Sequence, residues 1–208
     1  KMFVTRSETF VVGLMCSLWA LGVALIPRLP WTSFNWLVAA GLVSTPHWFY
    51  AWVWTRPKSF ISFSDNVGSA LHPVNRFASC AHFLKIVQLV TVVWWYLKTA
   101  DPVSLDQFTT SRCLMFAIPF TVGQVLNVSV MRALGTPGVY YGVKLGKPVE
   151  WYVGFPFTVT SHPQYIGSIL STWGAIAALQ TPAHLDGLLG IGLVMTYGWV
   201  VSSYIESH

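Results

Sequence analysis

Long apolar runs alternate with short polar segments along most of the chain. The runs contain 17 to 22 residues, close to the roughly 20 that a helix needs to cross a bilayer. The pattern predicts an all-α fold, a polytopic transmembrane helical bundle with about five to six membrane spans. The predicted spans are Phe10–Ile26, Asn35–Trp54, Ser79–Leu97, Cys113–Leu134, a helix from Ser161 to Gln180, and Leu188–Tyr204.

Polar interruptions complicate the first half of this pattern. Pro46 lies inside the second run and predicts either a kink or a re-entrant segment. Residues 56–78 are predicted to form an interfacial loop, and Lys85 in the third span is expected to snorkel to nearby headgroups. We predict two parts: residues 1–112 with three N-terminal spans, and residues 113–208 as a core that carries the functional site.

Composition places the chain in the membrane. It is 54% hydrophobic and 9% charged, whereas soluble domains have roughly 25% charged residues. Its 11 tryptophans and eight tyrosines cluster near the ends of apolar runs, as interfacial residues do. The three cysteines show no metal-ligand spacing, so no metal site is expected, and nucleic acid is not an expected partner.

Positive charge is distributed unequally between the two predicted sides of the bundle. Six crossings place eight Lys and Arg residues on the side of the N-terminus and C-terminus, and three on the other side. The positive-inside rule assigns the richer side to the cytoplasm or an equivalent compartment such as a matrix. The eight residues are Lys1, Arg6, Arg56, Lys58, Arg76, Arg132, Lys144 and Lys147.

Three polar side chains are predicted to meet on that side. His162 and Tyr165 lie at the start of the fifth predicted span, and the sixth returns the chain so that Glu206 reaches the same end. Ser161 and Gln164 have the spacing of a capping box for this helix. The three groups form either a site open to water-soluble ligands or a set of interfacial anchors with a solvated tail.

Two further segments combine polar or aromatic residues with glycine. Gln124 and Asn127 lie one turn apart in the fourth span, where they need partners in the bundle. They either bond to another helix or line a cavity with Gly123, which permits close backbone approach. The connection 135–160 is either a flexible basic loop or a lid whose aromatic residues cover a cationic ligand.

Several of these residues fall into a pattern that resembles the phospholipid methyltransferase family over about 80 residues. The chain departs from the animal enzymes at two positions. Thr121 stands where their Gly-x-Gly has its first glycine, and Ile205 stands where their Glu-Glu pair has its first glutamate. Plant and fungal members resemble this chain more closely at both points. The matching residues are Gly123-Gln124-x-Leu126-Asn127, Leu134-Gly135-x-x-Gly138-x-Tyr140-Tyr141-Gly142-Val143-x-x-Gly146-Lys147, Phe155-Pro156-Phe157, Pro163-Gln164-Tyr165-x-Gly167-Ser168 and Glu206-Ser207.

The resemblance implies an integral membrane enzyme that transfers methyl from S-adenosylmethionine to phosphatidylethanolamine or its methylated derivatives, towards phosphatidylcholine. It implies a phospholipid substrate and an endoplasmic reticulum or mitochondrial membrane. The transfer needs a neutral amine, and His162 and Glu206 are the two candidates for the general base, with His162 taken as the catalytic residue. Tyr140, Tyr141, Tyr165 or Trp151 is expected to stabilise the methyl-bearing cation. The implied cofactor-binding residues are Gly123, Gln124, Asn127, Tyr141, His162, Pro163, Tyr165, Gly167 and Glu206.

Two alternatives to this function stay open. One is a related methyltransferase with another lipid or prenyl acceptor, since His162-Pro163-x-Tyr165-x-Gly167 also resembles part of the isoprenylcysteine carboxyl methyltransferases. The other is a catalytically silent subunit of a larger membrane complex built on the same fold.

Overall fold

The computed structural model describes residues 28–67, 71–150 and 152–207. The first predicted span and Trp151 lie outside these residues. The described residues form α-helices and no β-strand, which confirms the all-α prediction, and α3, α4 and α6 are long and apolar enough to cross a membrane. The helices are α1 (Phe34–Thr55), α2 (Pro57–Asn66), α3 (Pro73–Thr99), α4 (Thr110–Val139), α5 (Pro163–Leu179) and α6 (Leu185–Ser207).

Helix α1 runs without interruption through Pro46. A proline in a helix cannot donate to the carbonyl four residues earlier, which here belongs to Leu42. The Thr45 hydroxyl donates to that carbonyl at 2.7 Å, so the freed acceptor keeps a partner. The structure therefore favours a continuous helix over the re-entrant segment.

The predicted interfacial loop over residues 56–78 is wrong, because helix α2 and the first turns of α3 occupy most of it. Pro57 and Pro73 each lie in a first helical turn, where the missing N–H has no intrahelical partner to lose. The charged residues of α2, Lys58 and Asp65, are exposed, and the opposite face buries Phe60 and Ser64. The sequence predicted a loop because only two of the ten residues of this helix are buried, too few for a clear apolar stripe.

Helices α1, α3 and α6 share a core that joins the two parts predicted from the sequence. Trp36, Val43, Trp95, Leu188 and Ile191 are all less than 4% exposed within it. The Trp36 indole N–H donates to the carbonyl of Gly187 at 3.1 Å, so this buried side chain has its polar atom satisfied.

Helices α4 and α5 cross at close range. A Cβ atom at Gly123 would overlap the Gly167 carbonyl and the Ser171 hydroxyl, so small residues set the approach of the two helices. Helix α4 then kinks at Gly135, whose φ of 61° favours glycine. This kink follows directly on the predicted end of the span at Leu134.

Helices α5 and α6 return the chain to one end of the bundle, as predicted. The predicted capping box is wrong: the N-cap is His162, and no side chain bonds to the first turn. The N-cap lies one residue later than expected, so Ser161 precedes the cap position. Glu206 lies in the last turn of α6, beside the start of α5.

Candidate active site

Glu206 is the centre of a cluster of polar and aromatic side chains at this end of the bundle. One carboxylate oxygen accepts a hydrogen bond from the Tyr141 hydroxyl and the other from the Tyr165 hydroxyl. Two phenols on different segments therefore fix the orientation of the carboxylate. A carboxylate has about four acceptor positions, so this arrangement leaves Glu206 capacity for further donors.

Tyr141 reaches Glu206 from an unusual backbone conformation. Its φ is 54°, a left-handed value that costs an ordinary residue about 1–2 kcal/mol. Its ring stacks on Phe77 at 4.8 Å and meets Trp54 edge-on at 5.0 Å. Burial first, and the Glu206 carboxylate second, raise the pKa of Tyr141 well above its usual value. The hydroxyl therefore keeps its proton and donates.

The connection that contains Tyr141 is a packed part of the fold. Leu145 is 2% exposed and joins the aromatic cluster around Phe77. The Gly142 N–H donates to the Pro137 carbonyl at 2.7 Å, and the Lys144 ammonium lies 4.5 Å from the centre of the Trp54 ring. These contacts turn the aromatic residues of the segment inward.

His162 and Tyr165 complete the cluster. Their rings stack in parallel, with centroids 5.7 Å apart and planes within 4°. The His162 Nε2 atom lies 3.5 Å from the Ser207 hydroxyl oxygen. Burial lowers the pKa of His162 from its usual value of 6.5, so its imidazole is neutral at pH 7 and can accept a proton.

The remaining predicted site residues form a second group along the crossing of α4 and α5. The Gln124 amide donates to the Ser171 hydroxyl at 3.0 Å, a bond between helices, and Gly123 packs against Gly167. The Asn127 side-chain oxygen is buried without a hydrogen-bond partner. Of this group, Asn127 has an acceptor available for a ligand.

Pro163 is buried in the first turn of α5, where its ring fixes the backbone between His162 and Tyr165. It has no N–H to offer a ligand, and its place in the site is to position its neighbours. The structure thus brings Tyr141, His162, Tyr165 and Glu206 together and places Gly123 and Asn127 of α4 against Gly167, one turn further into the bundle.

Sequence reasoning missed the residues that pack beneath this cluster. Trp199 stacks on Tyr165 with centroids 5.1 Å apart. The predicted snorkelling of Lys85 is wrong, because its ammonium lies 4.2 Å from the centre of the Trp199 ring. Lys85 donates to Gln88 at 3.1 Å. Two polar residues three positions apart in an apolar helix share one face, and this spacing is the signal in the sequence.

Comparisons with known proteins identify the family of this chain. A family model described as phospholipid methyltransferase matches residues 113–208. A phosphatidyl-N-methylethanolamine N-methyltransferase of Arabidopsis thaliana is 36% identical over 135 residues, which cover 65% of this chain and 74% of the relative. No solved structure matches the chain.

Two fungal relatives carry the same name, and their alignments are shorter. The protein of Emericella nidulans is 40% identical over 84 residues, 38% of this chain and 39% of the relative. The protein of Saccharomyces cerevisiae is 43% identical over 67 residues, 32% of each chain. These names do not favour the catalytically silent alternative. The chain belongs to the phospholipid methyltransferase family.

Proposed function

We propose that this chain transfers a methyl group from S-adenosylmethionine to the amine of phosphatidylethanolamine or its methylated derivatives. The supporting observation is the Glu206 carboxylate, held by Tyr141 and Tyr165 with a neutral His162 beside it. The relatives named as phosphatidyl-N-methylethanolamine N-methyltransferases favour a methylated acceptor. The positive charge at this end favours a cytoplasmic or matrix face of an endoplasmic reticulum or mitochondrial membrane.

The residues present fit the proposed cofactor. The Glu206 carboxylate has capacity to accept from an amino group or from ribose hydroxyls, and the buried Asn127 oxygen lacks a partner. The phenol groups of Tyr141 and Tyr165 contact the carboxylate, and aromatic rings attract cations. When bound, S-adenosylmethionine supplies a methyl group activated by a positively charged sulfur.

His162 is suited to receive the proton that the acceptor amine must lose. A lipid amine titrates near the lysine value of about 10.4, so it is protonated at neutral pH and has no free electron pair. The neutral imidazole of His162 can accept this proton and release it to water, since its Nε2 atom lies beside the exposed Ser207. Glu206 is the poorer base, because both of its oxygens already accept from tyrosines.

The crossing of α4 and α5 beneath the site holds the site residues of α5 in position. The contact between Gly123 and Gly167 fixes the start of α5, and with it His162 and Tyr165, relative to α4. Placing reacting groups in a fixed geometry lowers the barrier of a transfer reaction by several kcal/mol. We therefore assign Gly123 and Gly167 to positioning, and Glu206 and Asn127 to the cofactor.

Methyl transfer to monomethylated phosphatidylethanolamine in mixed micelles, followed with labelled S-adenosylmethionine, tests this proposal. Wild-type protein should transfer label, and Glu206→Gln should weaken cofactor binding by about 1.5–3 kcal/mol, the usual value of a charge-assisted hydrogen bond. Glu150→Gln makes the same change at an exposed position and should bind normally. A wild-type protein that binds no cofactor and methylates no aminolipid would refute the proposal.

A further inference from the structure

A second cavity opens below the candidate active site, between helices α3, α5 and α6. Its volume is about 240 Å³, less than the roughly 300–1,000 Å³ of a pocket that encloses a small molecule. Its upper end carries Lys85, Gln88, Ser171 and Thr172, and its other lining residues are apolar. One of them, Leu89, is 66% exposed, so the cavity is a cleft that borders the surface facing the lipid.

The polar end of this cleft holds an unusual cation. Lys85 lies 12 residues after the start of α3 at Pro73, about 18 Å along the helix at 1.5 Å per residue. Its ammonium contacts the Gln88 amide oxygen and the Trp199 ring, and neither carries a negative charge. A lysine inside a membrane bundle is costly, and here its described neighbours supply no anion.

Gln88 cannot take over the role of a counter-ion. Its amide N–H donates to the Val43 carbonyl at 2.6 Å, which leaves only the neutral oxygen for Lys85. The indole N–H of Trp199 is buried without a hydrogen-bond partner. The larger cavity between α1 and α6, of about 680 Å³, has no charged lining residue. Of these two cavities, the cleft beside Lys85 is the one with a charge to offer a ligand.

We propose that this cleft holds the phospholipid acceptor, with the Lys85 ammonium on its phosphodiester and an acyl chain against the apolar residues. The inference rests on the proposed function and adds the place of the substrate. A phosphodiester supplies the single negative charge that Lys85 lacks, and the hydroxyls of Ser171 and Thr172 line the same end. The apolar end continues towards Leu179, at the far end of α5.

This placement also points the lipid amine towards Glu206. The Trp199 ring contacts both the Lys85 ammonium and the Tyr165 ring, and Tyr165 donates to Glu206. Trp199 and Glu206 are seven residues apart on α6, roughly 10 Å along the helix. A lipid with its phosphate at Lys85 and its chains below has its amine on the side of the carboxylate.

A pair of acceptors and a pair of lysine variants test the proposal. The acceptors are monomethylated phosphatidylethanolamine and an analogue in which an uncharged ether replaces the phosphodiester. Lys85→Met should lower kcat/KM for the phospholipid at least tenfold, mainly through KM, and leave the analogue unchanged. Lys98→Met, an exposed lysine near the other end of the same helix, should leave both unchanged. Methionine keeps the length of the side chain and removes a costly charge, so folding should not suffer.

Equilibrium binding of a fluorescent monomethylated phosphatidylethanolamine in detergent keeps this inference separate from the proposed function, because it needs no turnover. Lys85→Met should weaken lipid binding and keep the affinity for S-adenosylmethionine. Equal losses on both acceptors, or displacement of the lipid by millimolar inorganic phosphate, would overturn the proposal. A variant with normal lipid binding and weakened cofactor binding would instead assign Lys85 to the cofactor carboxylate.

Discussion

Two buried histidines at different levels of the bundle differ in how their ring nitrogens are used. His184, which is fully buried, accepts from the Thr181 hydroxyl at 2.7 Å and donates to the Tyr96 carbonyl at 2.9 Å. His47 is 7% exposed, and neither of its nitrogens has a hydrogen-bond partner. It packs edge-on against Trp199 at 4.6 Å, beneath the candidate active site.

The difference separates polar groups that hold the fold from polar groups that are available to ligands. His184 satisfies a carbonyl in the last turn of α3, which has no intrahelical partner, and stacks on Tyr96 at 3.9 Å. Near the candidate site, His47, Trp199 and Asn127 each keep an unpaired polar atom. Buried polar atoms are normally paired in native proteins, so these three side chains have polar atoms left for a ligand. Ser64 and Arg112 also keep an unpaired atom away from the candidate site, so an unpaired atom alone does not mark a functional site.

The largest effect is expected at the helix crossing that supports this end. Gly123→Leu should force α4 away from α5, because even a Cβ atom would overlap the Gly167 carbonyl. Overpacking costs about 1–3 kcal/mol or more, and leucine adds three carbons beyond that Cβ. We expect loss of most folded protein by size-exclusion chromatography. The control is Gly41→Ala, in open space on α1, which should be neutral or slightly stabilising. A folded and active Gly123→Leu variant would contradict the close approach of α4 and α5 at this glycine.

The two histidines provide the next test. His184→Leu leaves the Tyr96 carbonyl and the Thr181 hydroxyl without partners and should lower the free energy of unfolding by about 2–4 kcal/mol. His47→Leu breaks no hydrogen bond and should change it by less than about 1 kcal/mol. Thermal unfolding in detergent measures both. Equal destabilisation by the two substitutions would contradict the distinction between His184, which holds the fold, and His47, which is available to a ligand.

The same end of the molecule shows how far the sequence alone can predict this structure. The return of Glu206 to Tyr165 follows from counting spans, because consecutive crossings must alternate in direction. The position of Lys85 does not follow, because the lipid-facing side of α3 is as apolar as its packed side. Leu89 is 66% exposed, while Ala81 is 2% exposed, and both read as apolar. Periodicity therefore cannot fix the rotation of a membrane helix about its axis.

The left-handed conformation of Tyr141 could not be predicted from the sequence for a related reason. The glycine-rich pattern around it predicted a loop, but its geometry depends on contacts with Phe77 and Glu206, which are distant in sequence. Glycine positions are readable where a kink requires them, as at Gly135. Tyrosine in a left-handed conformation is held by tertiary contacts, and these appear only in the folded chain.

His162→Ala should separate catalysis from stability at the candidate site. If the imidazole accepts the amine proton, turnover should fall about a hundredfold, the usual scale for acid–base groups. The melting temperature should hardly change, because no hydrogen bond of the first turn of α5 depends on this side chain. Val159→Ala, at an exposed position nearby, is the matched control. An alanine variant with full turnover would reduce His162 to an interfacial anchor.

The smallest effect, and the most specific to this cluster, is the dependence of turnover on pH. Burial lowers the pKa of His162 from 6.5, so its neutral form persists to more acidic pH than that of a free imidazole. Turnover should therefore fall as the pH decreases through this lowered pKa, and the limb should be absent in His162→Ala. Folding stability has the same sign: a depressed histidine pKa favours the folded state above about 6.5 and weakens it as the pH falls. An acidic limb with its midpoint at or above 6.5 would contradict the burial of His162.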